Sequence, residues 1–210
     1  MEGGKKMDKE LEEKMIQACE GLIKLLKMVF QGFRMPSEKS IMDAEEFKKE
    51  VQGYFTELTN FIVSKSSSSG EKKDQTKPFL SMASSFDRMT HNMEGIMNQL
   101  KILVQEHMGF SDHAVKEVND IFQEAMNLLE KLPELILTQN KVLAQHIGEM
   151  VRSVFKIADG YSEEHEERLI RGICMPKSAP IYLGILESLK GVIANTLEVS
   201  GKIASLLSKS

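Results

Sequence analysis

The chain reads as an all-α protein built as two tandem antiparallel three-helix bundles with six helices in total. Three observations predict helices in this arrangement. Apolar residues recur every three to four positions through nearly every long window, the period of one helix face. Abundant Leu, Met, Glu and Lys, with five prolines and no tryptophan in 210 residues, favour helix over strand. The order of short loop, helix, loop and long helix occurs twice, about half a chain apart, as a duplicated unit would produce.

The first helix is carried by Leu11, Met15, Cys19, Leu22, Leu26 and Val29 and should stop before Pro36. The second is expected from Ser40 or Asp43, where Asp43 and Glu46 have capping-box spacing, and it buries Phe47, Val51, Tyr54, Leu58 and Ile62. Residues 66–76, SSSSGEKKDQT, offer no apolar side chain to bury and read as a mobile loop. The third helix is expected from about Pro78 to His107, with Phe79, Met82, Phe86, Met89, Met93, Ile96, Leu100 and Leu103 on one stripe and Gly109 as its breaker.

In the second half, a helix from Asp112 through Val115, Val118, Phe122, Met126 and Leu129 should end near Pro133. The fifth starts near Thr138, places Leu143, Ile147, Val151, Val154 and Ala158 in the core, and is expected to end at Gly160 before the polar run YSEEHEERLIRG. The sixth spans about 179–207 with Ile181, Ile185, Leu189, Val192, Thr196, Val199 and Ile203 in register, Ser178 as N-cap and Pro180 in the first turn.

Setting Phe86 against Leu189 also pairs Leu80 with Leu183, Ser85 with Ser188 and Asn92 with Asn195. Matching the first and fourth helices brings Gln17 onto Gln123 and Leu22 onto Leu128. The units are accordingly 1–108 and 109–210. Long helices on short connections bury their stripes against sequence neighbours, with axes nearly antiparallel.

Twenty-seven Lys and Arg stand against 31 Asp and Glu, a net charge of −4 with both signs interspersed, which argues against a nucleic-acid binder. Cys19 and Cys174 are far apart and lack metal spacing, as expected of buried thiols in a reducing compartment. The charged start MEGGKKMDKELEEK has no apolar signal region, and no stretch approaches the roughly 18 apolar residues of a membrane span. The expected location is the cytoplasm.

Residues 161–203, YSEEHEERLIRGICMPKSAPIYLGILESLKGVIANTLEVSGKI, carry a resemblance. Arg168-Leu169, then Gly172 and Cys174, a short polar turn, and a final helix with Leu186, Leu189, Asn195 and Ile203 in register resemble the C-terminal end of PhoU-like proteins, regulators associated with phosphate uptake. The likeness covers the layout of all six helices, is specific in roughly the last fifty residues, and is fainter around 79–97. It implies duplicated three-helix bundles, phosphate transporter components or a signalling protein as partner, and membrane contact only through that partner. A homodimer is compatible with it.

The family typically carries an acidic motif, Asp or Glu followed after three residues by Asp, on the last helix of each unit, where metal ions cluster. The corresponding positions are Asp87 and His91 in the first unit and Lys190 and Ala194 in the second. A cationic and an apolar side chain make a second site improbable on charge grounds. At most one site is implied, for a divalent or iron-type metal at Asp87, His91 and Glu94, spaced at i, i+4 and i+7, with His146 and Glu149 as further donors. The same five residues also read simply as polar flanks of a core stripe.

A di-iron bundle would need Glu-x-x-His on two helices, and the chain has only the reverse order, at His91 and His146. No phosphate-cradling glycine loop and no nucleophile elbow occur, so no enzyme is expected. Most of the 14 methionines, among them Met15, Met82, Met89 and Met93, fall on core stripes, whereas Met35, Met42 and Met175 fall near loops, where an adaptable docking surface is the rival reading. The expectation is a regulator or adaptor in phosphate uptake and homeostasis, acting by protein contact. The alternative is a helical interaction or structural module unrelated to phosphate and without metal.

Overall fold

The structure, a computed structural model, describes residues 7–68 and 73–208. Within them lie six long helices and one short one: α1 (Lys9–Arg34), α2 (Glu38–Ser68), α3 (Lys73–Gln105), α4 (Asp112–Leu129), α5 (Leu132–Thr138), α6 (Lys141–Ile170) and α7 (Ala179–Ser208). Helices α1, α2 and α3 form one three-helix unit, and α4, α6 and α7 the other, with α5 packed on α1 and α7. The chain has the two-bundle all-α fold that the hydrophobic periodicity predicts.

Most core-stripe positions are buried as read, while Phe47, Phe79, Val115 and Leu143 are half-buried. Met15, Cys19, Leu22, Leu26 and Val29 on α1, Met82, Phe86, Met89, Met93 and Ile96 on α3, and Ile181, Ile185, Leu189, Val192, Thr196, Val199 and Ile203 on α7 are all shielded from solvent. On α2 Val51, Leu58 and Ile62 are buried as expected, but Phe55 takes the core place expected of Tyr54, which is half-buried and donates its hydroxyl to Glu50. Met35, Met42 and Met175 are 66%, 65% and 58% exposed, which separates them from the buried core methionines.

Several ends differ from the sequence expectation, each for a local reason. Helix α2 starts earlier because Ser37, not Asp43, caps it, its hydroxyl accepting the Ser40 amide at 3.1 Å; Asp43 and Glu46 lie inside the helix. The expected loop 66–76 is helical at both ends, since α2 reaches Ser68 and α3 begins at Lys73, and its centre, 69–72, lies outside the described residues. Pro78 therefore sits inside α3, close to its start, where one missing N–H removes one bond.

Gly109 is not the breaker of α3. His107 takes the left-handed conformation (φ 50°), and the amides of Met108 and His107 return to Leu103 and Val104 in the paired bonds of a Schellman ending. Pro133 does not end a helix but occupies the first turn of α5, where its missing donor costs nothing. Helix α6 passes through Gly160 without a break. An interior glycine costs only about 1 kcal/mol, and buried Ala158 and His165 on either side hold the helix on its neighbours. Its actual stop is Gly172 (φ 68°), again with Schellman bonds, Ile173 to Arg168 and Gly172 to Leu169. Ser178 stands at the cap position of α7, but its hydroxyl donates to the Met175 carbonyl.

The most extensive packing in the molecule joins the units, α3 against α7. Its centre is symmetric. Asn92 donates to the Arg88 carbonyl at 2.9 Å and lies against Gly191; its repeat counterpart Asn195 donates to the Gly191 carbonyl at 2.7 Å and receives Nε of Arg88. A side chain at Gly191 would overlap the Asn92 amide, and one at Gly95 or Gly184 would meet Ser188 Oγ or Gln99 Nε2 at 2.9 Å. The apolar cores of the two units are continuous across this seam.

Replacing Gly191 by Leu should cost about 1–3 kcal/mol by overpacking, read from chemical denaturation. A second change, Asn92→Ala, should recover part of that loss, because it removes the group in the way.

Candidate functional site

Asp87, His91 and Glu94 lie on α3 in the order the sequence predicts, but their donor atoms do not converge. His91 donates Nδ1 to the backbone carbonyl of Asp87 at 3.0 Å and stands 3.7 Å from its carboxylate; both side chains are at least half exposed. The Glu94 carboxylate is taken by Lys48 of α2 at 2.5 Å, and nearby Lys101 and Glu45 pair across the same seam. His146 and Glu149 are exposed on α6.

In the second unit Lys190 places its ammonium between Asp159 of α6 and Glu187 of α7, 2.9 Å from each, and these two bonds hold its pKa above the ordinary lysine value. A fixed cation there fills the position a metal would need, and Ala194 brings no donor. Among the described residues, no group of three or more His, Cys, Asp or Glu side chains is placed to hold a metal ion. The residues present do not fit a metal cluster of the kind the resemblance implies.

A buried polar cluster lies instead where α4, α6 and α7 meet. Glu117 of α4 is buried, and its Oε2 accepts Nη2 of Arg168 and the hydroxyl of Tyr182, both at 2.6 Å. Burial works against the Arg168 cation, but Glu117 outweighs it and the net direction is upward. Burial, then the hydrogen bond to Glu117, drives the Tyr182 phenol far above its usual range. Beside it Tyr161 donates to Asp120 at 3.0 Å and is pushed up to about 12, first by burial and then by that bond.

His165 completes the cluster. It is 2% exposed, stacks on Tyr182 with ring centroids 4.1 Å apart, and has no hydrogen-bond partner on either ring nitrogen. The cluster adjoins an aromatic run, Tyr182 to Phe110, Phe110 to Phe33 and Phe33 to Phe122, that ties α7 to α1 and α4.

Sequence reasoning singled out Arg168, Gly172 and Cys174 but missed Glu117, Tyr161, His165 and Tyr182. A signal was present. His165 lies two helical turns beyond Ala158, in register with the α6 stripe, and Glu117 precedes Val118 on the buried face of α4. A polar residue on a core stripe calls for a buried partner.

Fold and site define a helical bundle protein with a buried polar clasp, and no described helix is long and apolar enough to cross a membrane. Its fold is that of PhoU and PhoU-like proteins. The chain is similar to the phosphate transport system regulatory protein PhoU from Streptococcus pneumoniae, with a TM-score of 0.83 at 12% identity over 96% of this chain and 95% of that one. A PhoU-like protein from Shewanella oneidensis MR-1 gives a TM-score of 0.62 at 9% identity, over 95% of this chain and 100% of that one. No family model and no curated protein matches the sequence. The resemblance is thus borne out in the fold.

Arg168→Met, which strands the buried Glu117 carboxylate, should destabilise the protein by about 3–5 kcal/mol. Tyr182→Phe, which removes one bond to a charged group, should cost about 1.5–3 kcal/mol. Equilibrium unfolding in urea at neutral pH measures both, and the order Arg168→Met above Tyr182→Phe is the diagnostic result.

Proposed function

We propose that this chain is a PhoU-like regulatory or adaptor protein of phosphate uptake and phosphate homeostasis, acting in the cytoplasm by reversible contact with phosphate transporter components or a signalling protein. The observation that carries this reading is the fold-level likeness, over nearly the whole of both chains, to a phosphate transport regulatory protein. Long polar helix faces suit contact with a partner. In this reading residues 1–108 and 109–210 are the repeat units, and membrane contact is made through the partner.

The contact is proposed to be metal-independent. Where metal ions would otherwise set the local charge, Lys190 bridges Asp159 and Glu187, and Lys48 holds Glu94. A second reading, an interaction module with no link to phosphate, is favoured by the same departure from the acidic motif.

Deleting the gene should raise phosphate uptake in phosphate-replete cells, measured with radiolabelled phosphate, and supplying the intact chain should restore it. Unchanged uptake favours the module unrelated to phosphate. Elemental analysis of gently purified protein should give less than about 0.1 metal per chain, by analogy with the near-unit occupancy of a true site. Stoichiometric metal that disappears in the Asp87→Ala, His91→Ala double variant would restore the single-site reading.

A further inference from the structure

We propose that His165 is an acid-sensitive latch: in its neutral form it locks the α6–α7 turn onto α4, and its protonation releases that turn. The geometry carries the proposal. The imidazole is almost fully buried, is stacked on Tyr182, and leaves both ring nitrogens without a hydrogen-bond partner. A neutral ring tolerates this as a flat apolar plate. A protonated ring presents two N–H donors and a full charge, which burial without partners strongly disfavours.

The charged neighbours on each packed element decide whether the site could absorb that charge. On α6, Arg168 is a like charge, while Glu166 opposes it from an exposed position. On α4, Glu117 would attract the imidazolium, but its Oε2 already binds both Arg168 and Tyr182. On α7, Tyr182 offers a ring face, and its hydroxyl is already engaged as a donor to Glu117. Burial first, then Arg168, hold His165 below its ordinary value, against the weaker pull of Glu117 and Glu166. The released state therefore binds the proton more readily. The latch is closed above the ordinary histidine value of about 6.5 and loosens as pH falls through it.

What the latch holds is the turn after α6. Ile170, Ile173 and Met175 are 86%, 61% and 58% exposed there, so the segment is anchored by few contacts of its own. Its restraints include the Schellman bonds at Gly172, the Ser178 bonds to the Met175 carbonyl, and the inward residues His165, Arg168, Cys174 and Ser178. Opening would expose Tyr182 and lengthen an apolar surface that already faces water.

The test is amide hydrogen exchange on the full chain at about pH 7.5 and about pH 5.5, corrected for intrinsic rates. One proton taken up on opening predicts that amides of 168–182 exchange about tenfold faster at the lower pH, with α1 unchanged. His165→Phe keeps the stacked plate without the titration and should abolish that acceleration. Equal acceleration in the variant, uniform acceleration along the chain, or none in the wild type would overturn the proposal. Should the variant fail to fold, the imidazole proton resonance of His165 in the wild-type chain decides: a midpoint coincident with loss of protection supports the latch, and titration with protection intact refutes it.

Discussion

The close approach of α3 and α7 is the constraint on which the rest of the molecule depends. Each helix is the third member of its own unit and also the partner of the other unit, so both must bury two faces at once. Gly95, Gly184 and Gly191 remove the Cβ atoms that would keep the backbones apart, and Asn92 and Asn195 fill the space with amides bonded back to their own helices. Because the two asparagines make related contacts across the seam, the halves meet as near-equivalent surfaces, and the cores merge into one apolar body.

Around that axis the polar side chains divide by how far they are removed from water. The pairs Lys48 with Glu94, Lys101 with Glu45 and Lys190 with Asp159 bridge neighbouring helices at partly exposed positions, where such bonds contribute little beyond register. Glu117, Arg168 and Tyr182 are different. Once a carboxylate is buried, each partner becomes necessary, because removing one leaves an uncompensated charge in a medium that cannot screen it. The fold thus has a tolerant lateral surface and an intolerant polar knot at one end of the α6–α7 pair.

That division bears on function. The positions that the resemblance sets against a metal motif lie on the tolerant surface as lysine pairs or unconverged donors, while the buried polar residues lie in the knot. The bundle itself is held by apolar packing continuous through both units. The proposed sensitivity to protons places a chemical input in a part of the fold whose geometry is already demanding.

The fold was largely legible because helix periodicity is local: Met82, Phe86, Met89 and Met93 announce a buried face whatever they pack against. Helix ends were less so. His107 rather than Gly109 turns the chain out of α3, and Gly160 is carried through α6, because a terminus reflects the balance of a small backbone preference against contacts made elsewhere. Of the candidate site, Asp87, His91 and Glu94 were reached through the resemblance and their spacing, but neither can show that Lys48 would take Glu94. Glu117 and Tyr182 meet only after α4 and α7 have packed, across 65 positions of chain. The sequence by itself determined the helices, their buried faces and the likeness of the two halves, since these follow from side-chain order within a few turns. Tertiary structure alone decided the glycine-lined seam, the lysine bridges and the environment of His165, since these arise from distances between residues remote in the chain.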